Sequence, residues 1–309
     1  MKSSVTPEYN GVRLDKFVKK EVASLPLTAL FRLLRKKRVR LNGRVITDPK
    51  TELAAGDELV IEELPRETRA HGGDLPVLFE DEHLLVVDKP RGLAVHSGAG
   101  KEGRTVIALL RARASGTEPH LAHRLDKYTS GVLVTAKDRE TSGKLGAQFK
   151  KTGDRETKKT YITVVFGRAE RADTIDKPLD GKKALTHYRC LRQIPWRDKG
   201  LSLLEVRIDT GRLHQIRRHL AAAGLPMAGD DDYGNWELNK QFQADYKIKE
   251  YLLHAWEVRL RHPVSEMMMT FRSPVPEEFK AVFGEITIET QRQRGLQRKK
   301  KGRRGEKAW

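Results

Sequence analysis

Residues 120–138 read HLAHRLDKYTSGVLVTAKD. The second half, GVLVTAKD, is apolar and β-branched behind a Thr-Ser-Gly turn, which is the pattern of a buried strand. Asp126 stands just ahead of that turn. Its carboxylate therefore falls at the end of a sheet, where clefts form. The tetrapeptide RLDK also occurs at residues 13–16, where Asp15 reads as the cap of a helix starting near Lys16. Four residues alone do not separate a reactive Asp126 from a second helix cap.

Strands and helices alternate irregularly to both sides of this segment. VLFEDEHLLVVDKP (77–90) predicts two short strands around an Asp-Glu-His turn, and TVIALLRARA (105–114) a helix. TSGKLGAQFKK (141–151) predicts a short helix, and KKTYITVVFG (158–167) and LSLLEVRIDT (201–210) predict strands. HQIRRHLAAAG (214–224) is a helix that stops at Gly224. EYLLHAWEVRLRHP (250–263) and EMMMTFRSP (266–274) are strands, the Met267-Met268-Met269 run serving packing. The order is not a βαβ series. The fold class is α+β, with a large mixed, mainly antiparallel sheet over residues 76–284 and no Rossmann unit.

A smaller unit precedes it, over residues 10–64. Leu27, Leu30, Phe31 and Leu34 fall at i, i+3, i+4 and i+7 behind Pro26, one apolar helix face, with Arg32, Arg35 and Lys36 turned away from it. VRL, Asn42-Gly43 and RVI predict a hairpin, because Asn-Gly supplies the positive φ of a tight turn. GDELVIEE (56–63) closes the unit with a strand. Residues 65–75 are polar, aperiodic and rich in Pro and Gly, as a linker is.

The chain has 309 residues, of which 60 are Lys or Arg and 42 Asp or Glu, for a net charge of +18. Such an excess suits a polyanion, since each phosphate neutralised releases counterions. Nine Lys/Arg and one Glu lie in residues 291–309. The segment 285–309 therefore reads as a basic, disordered tail. No apolar run is long enough to span a bilayer, and the first residues lack a signal core. With Cys190 the single cysteine, a disulfide framework and a cysteine zinc site are excluded, and a cytoplasmic protein is expected. The histidines show no metal-ligand spacing. Residues 96–105 fail the phosphate-loop pattern at Val95 and Glu102, and no G-x-G-x-x-G follows a strand.

Taken together, the motifs resemble two known families. Residues 12–63, with R-L-D-K-F, a basic helix, V-R-L-N-G-R-V and G-D-E-L, resemble an S4 RNA-binding domain. That likeness implies that Arg32, Arg35, Lys36, Arg38 and Arg40 face RNA backbone. DKPRGLAVH (88–96), HRLDKYTSG (123–131), KKTYITVVFG (158–167), GRLHQIRRHL (211–220) and GDDDYG (229–234) resemble, in order and spacing, the RluA family of pseudouridine synthases. The S4-like unit and the D-D-x-Y-G form point to the subgroup acting on large-subunit ribosomal RNA, its RluC type in particular. Two slots depart from the pattern, Tyr128 and Leu213.

The resemblance implies an RNA isomerase without cofactor or metal, working as a monomer on ribosomal RNA. It implies Asp126 as the catalytic carboxylate, Tyr161 packed against the target base, and Arg217 as the basic partner that keeps Asp126 ionised. Arg124 would fill the gap left by a flipped base, and His123, Arg212 and His214 would line the RNA. The Tyr161 hydroxyl would buttress Arg217. A transfer-RNA enzyme of the same family and a non-catalytic ribosome-assembly protein are the alternative readings.

Overall fold

Asn42 and Gly43 both have positive φ, 49° and 79°, and they close the hairpin that organises the first unit. The computed structural model describes residues 2–22, 30–31, 33–34, 37–61, 75–96, 104–113, 118–150 and 156–288. The chain divides into two units, Met1–Gly73 and Asp74–Trp309.

The first unit contains β1 (Lys2–Ser4), β2 (Val12–Arg13), α1 (Leu14–Glu21), β3 (Val39–Leu41), β4 (Arg44–Val45), β5 (Glu52–Leu53) and β6 (Glu58–Ile61). Four strands form a sheet in the order β1-β6-β3-β4, and β2 pairs β5. Leu14, Phe17, Val18, Leu30, Leu34, Val39 and Leu59 fill its core. Three expectations change here. Lys2–Ser4 pairs antiparallel with β6, so the unit starts ahead of residue 10; without β1 that edge of β6 would lack a partner. Asp15 lies inside α1 and bonds Arg13, while Arg13 holds the cap position. Phe31 is exposed and Leu33 is buried in its stead, Leu30, Leu33 and Leu34 joining one apolar cluster. Arg32, Arg35 and Lys36 lie outside the described residues, as do residues 65–74 of the expected linker and 289–309 of the tail. Arg38 and Arg40 are partly exposed on and beside β3.

The second unit comprises β7 (Val77–Glu80), β8 (Leu84–Lys89), α2 (Val106–Arg113), β9 (His120–Leu121), β10 (Thr129–Ala136), α3 (Arg139–Lys150), β11 (Lys158–Phe166), β12 (Ala172–Asp176), β13 (Leu185–Ile194), β14 (Leu201–Ile208), α4 (Gln215–Ala222), α5 (Trp236–Tyr246), β15 (Leu253–Arg261), β16 (Met268–Arg272) and α6 (Glu277–Phe283). One ten-stranded sheet runs β12-β13-β14-β11-β15-β10-β8-β7, with β16 on β15 and β9 on β10. Among the described residues β10 and β15 pair in parallel and the remaining pairs of the sheet are antiparallel. Both faces are covered. Along β11, Tyr161 and Val165 enter one apolar cluster while Ile162, Val164 and Phe166 enter another, the period-2 signature of a central strand. Met267 is exposed and Cys190 half-buried.

The parallel pair sets the site. Thr129 lies opposite Leu253 and Gly131 opposite Ala255, so both strands begin at the same end of the sheet. The residues just before them, around Asp126 and Tyr251, are thereby brought together. Gly131 has φ +106°, and a Cβ there would meet the Ala255 carbonyl oxygen at 2.3 Å. Glycine is required at that close approach.

Candidate active site

Asp126 lies three residues ahead of β10, and its backbone carbonyl accepts from the Thr129 N–H at 3.0 Å. The next residue, Lys127, is pinned through its own carbonyl, which accepts from the Gly92 N–H at 2.9 Å and from Lys89 Nζ at 3.0 Å. Lys89 is fully buried and donates also to the Leu93 and Pro90 carbonyls at 2.7 and 3.0 Å. Burial pushes its ammonium down to about 7, against the pull of Asp126 and Asp88. The Asp-Lys-Pro motif of residues 88–90 does not by itself assign Lys89 a role. The signal is a lysine closing the strand Leu84–Lys89 directly before proline, behind four apolar residues and Asp88.

Around the carboxylate stand two buried phenols and an imidazole. Tyr161 on β11 is 7% exposed, and Tyr251, just ahead of β15, is 4% exposed. Burial, then the charge of Asp126, raises both phenols above their ordinary range. They stay protonated at any physiological pH. His214 Nε2 lies 4.0 Å from Asp126 Oδ1, and His214 Nδ1 is 3.0 Å from the Tyr233 hydroxyl. His214 holds the cap position of α4 in the left-handed region, φ 51°. Burial lowers its pKa, and Arg217 adds to that while Asp126 opposes it. A neutral ring that accepts from Tyr233 at Nδ1 carries its proton on Nε2, facing Asp126.

Arg217 has a different partner from the one expected. It is buried, and it grips Asp230 through Nε and Nη2, both at 2.7 Å, with Nη2 also 2.8 Å from Asp232. Its guanidinium packs 4.4 Å from the Tyr251 ring centre and 4.8 Å from that of Tyr233. Burial pulls its pKa down, but the bonds and charge of Asp230 outweigh this and hold it above its ordinary value. Its nearest carboxylates are those of the GDDDYG loop, and Tyr251 and Tyr233, in place of Tyr161, buttress it. Asp230 is prepared for this task. Its Oδ1 accepts from the Asp232 and Tyr233 N–H groups at 3.0 Å each, and its carbonyl accepts from Asn239 at 2.8 Å.

The other sequence candidates separate. Arg124 is exposed, two residues before Asp126. His123 belongs to the fold: its Nε2 accepts from the Val134 N–H at 3.0 Å and its ring packs 4.7 Å from Phe149. Burial, then Lys159, pushes this imidazole down to about 3. Arg212 bonds the Lys183 carbonyl at 3.1 Å, while its N–H donates to buried Gln215 at 3.0 Å. Leu213, beside it, is exposed. Among the described residues no group of His, Cys, Asp and Glu has a metal-binding arrangement, and no helix is long and apolar enough to cross a membrane.

This chemistry, a carboxylate with protonated phenols and a neutral imidazole at a sheet end, suits attack on or proton removal from a sugar carbon. Comparison with known proteins agrees with it. Residues 83–222 match the RNA pseudouridylate synthase family, and residues 12–59 match the S4 domain. The chain is 30% identical to the ribosomal large subunit pseudouridine synthase C of Vibrio vulnificus strain CMCP6, over 88% of this chain and 92% of that one. It is 31% identical to the synthase C of Escherichia coli K12, covering 90% and 93%. It is also 31% identical to the synthase D of Haemophilus influenzae Rd, covering 90% and 92%. The human RNA pseudouridylate synthase domain containing 1 shares the fold at TM-score 0.56 and 22% identity, over 72% of this chain and 93% of that one. Domain containing 4 does so at TM-score 0.54 and 24%, over 69% and 95%. The sheet, the loop that carries Asp126 and these relatives agree, and the chain belongs to the RNA pseudouridine synthases, with an S4 domain ahead of its catalytic unit.

Proposed function

We propose that this chain isomerises uridine to pseudouridine in large-subunit ribosomal RNA, with Asp126 acting on the ribose. The observation that carries the reading is the setting of Asp126: a partly exposed carboxylate at a sheet end, held by a pinned loop and faced by Tyr161, Tyr251 and His214. In the reaction the C1′–N1 bond breaks, the uracil turns, and C5 joins C1′. The C5 proton leaves and N1 gains one, so nothing is oxidised or reduced. Asp126 serves either as nucleophile at C1′ or as base at C2′, and both routes need one carboxylate on the sugar face. Arg217 contributes through Asp230 by fixing the wall formed by Tyr233 and Tyr251. Arg124, exposed two residues before Asp126, would enter the gap left by the flipped base, whose unstacking costs a few kcal/mol. The target class is supported by the names of the relatives, the S4 match and the charge of +18.

The test is tritium release from a large-subunit RNA transcript carrying C5-labelled uridine. Wild type should release tritium, and Asp126→Asn should lose release by at least a thousandfold (~4 kcal/mol) while retaining the RNA in a filter-binding assay. Equal release by the two proteins would show that Asp126 is not the reacting group.

A further inference from the structure

Trp236 is 63% exposed, although a tryptophan is normally turned inward. It opens α5, and its position is closely determined. Asn235 caps the helix, its side chain accepting from the Leu238 N–H at 3.0 Å. One turn into α5, buried Asn239 accepts from the Gly229 N–H and donates to the Asp230 carbonyl, both at 2.8 Å. The helix start is therefore keyed to the same loop that grips Arg217. Three residues before Trp236, Tyr233 meets His214 at 3.0 Å, and His214 faces Asp126. The Cα atoms of Tyr233 and Trp236 lie at most about 11 Å apart, so Trp236 starts its helix close to the loop that carries Tyr233.

Two further features bear on this ring. Lys240 reaches back along the helix, its Nζ 5.6 Å from the Trp236 ring centre. Leu213, directly before His214, is 58% exposed. Exposed apolar residues thus lie close in sequence to both members of the pair that leads to Asp126. An open indole with an ammonium beside it is the combination that binds single-stranded nucleic acid: the ring stacks on a base and the cation meets the phosphate.

We infer that Trp236, with Lys240, is a stacking platform for a nucleobase of the substrate RNA outside the pocket of the target uridine. The inference rests on the RNA-isomerase reading and adds a second point of base contact to it. The platform takes any base, since every base has a π-face, and it holds the strand splayed while the uridine occupies the Asp126 site. A protein partner is disfavoured by the adjacent ammonium and by the chain's excess of +18.

The experiment uses the full chain and the C5-tritiated large-subunit transcript, with Trp236→Ala and Trp236→Phe beside wild type. Trp236→Ala should raise KM about five- to a hundredfold, the range of one base–aromatic stack, with the loss concentrated in KM over kcat. Trp236→Phe should recover most of it. Indole fluorescence, read in a Trp309→Phe background so that the fourth tryptophan does not contribute, gives a readout independent of turnover: the parent should be quenched by the transcript, and adding Trp236→Phe should remove most of that quench because Trp196 and Trp256 are buried. An unchanged KM in Trp236→Ala, or a quench that survives in Trp236→Phe, overturns the platform. If wild type releases no tritium, the isomerase reading fails, and the quench still decides whether Trp236 stacks on RNA.

Discussion

Asp230 holds Arg217 in a two-point grip, Nε to Oδ2 and Nη2 to Oδ1, both 2.7 Å long and both buried. Asp232 bonds the same Nη2, but its side chain is 45% exposed. The two carboxylates therefore contribute unequally. Asp230→Ala leaves a buried guanidinium short of its main partner and should cost about 3–5 kcal/mol. Asp232→Ala should cost under about 1 kcal/mol. Urea unfolding of both variants checks this, and equal losses would contradict the assignment.

Lys89 is a positioning residue in this scheme. Lys89→Met keeps the length of the side chain but removes the donor that serves the Pro90, Leu93 and Lys127 carbonyls. Lys127 keeps its bond from Gly92; the other two carbonyls lose the Lys89 donor. A loss of about 2–3 kcal/mol in urea is expected, together with reduced tritium release, because the Lys127 carbonyl anchors the loop that carries Asp126. A variant with wild-type stability and release would show that the loop does not depend on this amine.

His254 should make the fold sensitive to acid. Burial pushes its imidazole down to about 4, while an unfolded histidine titrates near 6.5. Above pH ~6.5 both states are neutral and the group contributes no pH dependence. Below that the unfolded chain takes a proton that the folded chain refuses, so stability falls until the pH reaches the folded value. At pH 5 the loss is about 2 kcal/mol. His254→Gln should be flatter between pH 7 and 5 by that amount in urea melts, and identical slopes would refute it.

Gly131 and Gly143 predict opposite signs for one substitution. Gly131→Ala drives a methyl into the Ala255 carbonyl at a positive φ and should cost about 3 kcal/mol or more. Gly143 lies in α3 with nothing within 4 Å of an added Cβ. Gly143→Ala should therefore gain about 0.5–1 kcal/mol. Thermal melts of the pair decide it.

Much of this molecule was legible in the chain alone. The alternating runs at Lys158–Phe166 and Leu201–Ile208 are strands, the Asn42-Gly43 turn closes its hairpin, and Asp126 stands at the entry of β10. These are local properties: a period of two, a turn that needs positive φ, a carboxylate before a strand. Local pattern does not mark strands β1, β2, β5, β9, β12 and β13 or helices α5 and α6. The β1 segment, three residues long, carries no apolar alternation, and α5 has little apolar contrast between its faces. The tertiary structure alone decided who pairs with whom. Arg217 has several carboxylates within reach along the sequence motifs, and it takes Asp230 because that loop is folded tightly enough to present both oxygens. At Gly234 a Cβ would meet the Asp230 carbonyl oxygen at 2.2 Å, and Asn239 ties the same carbonyl to α5. Likewise the parallel register of β10 and β15 brings Tyr251 to Asp126 across more than a hundred residues. Hydrogen bonds and ion pairs depend steeply on distance and angle. Sequence determined which groups were available, and packing determined which of them met.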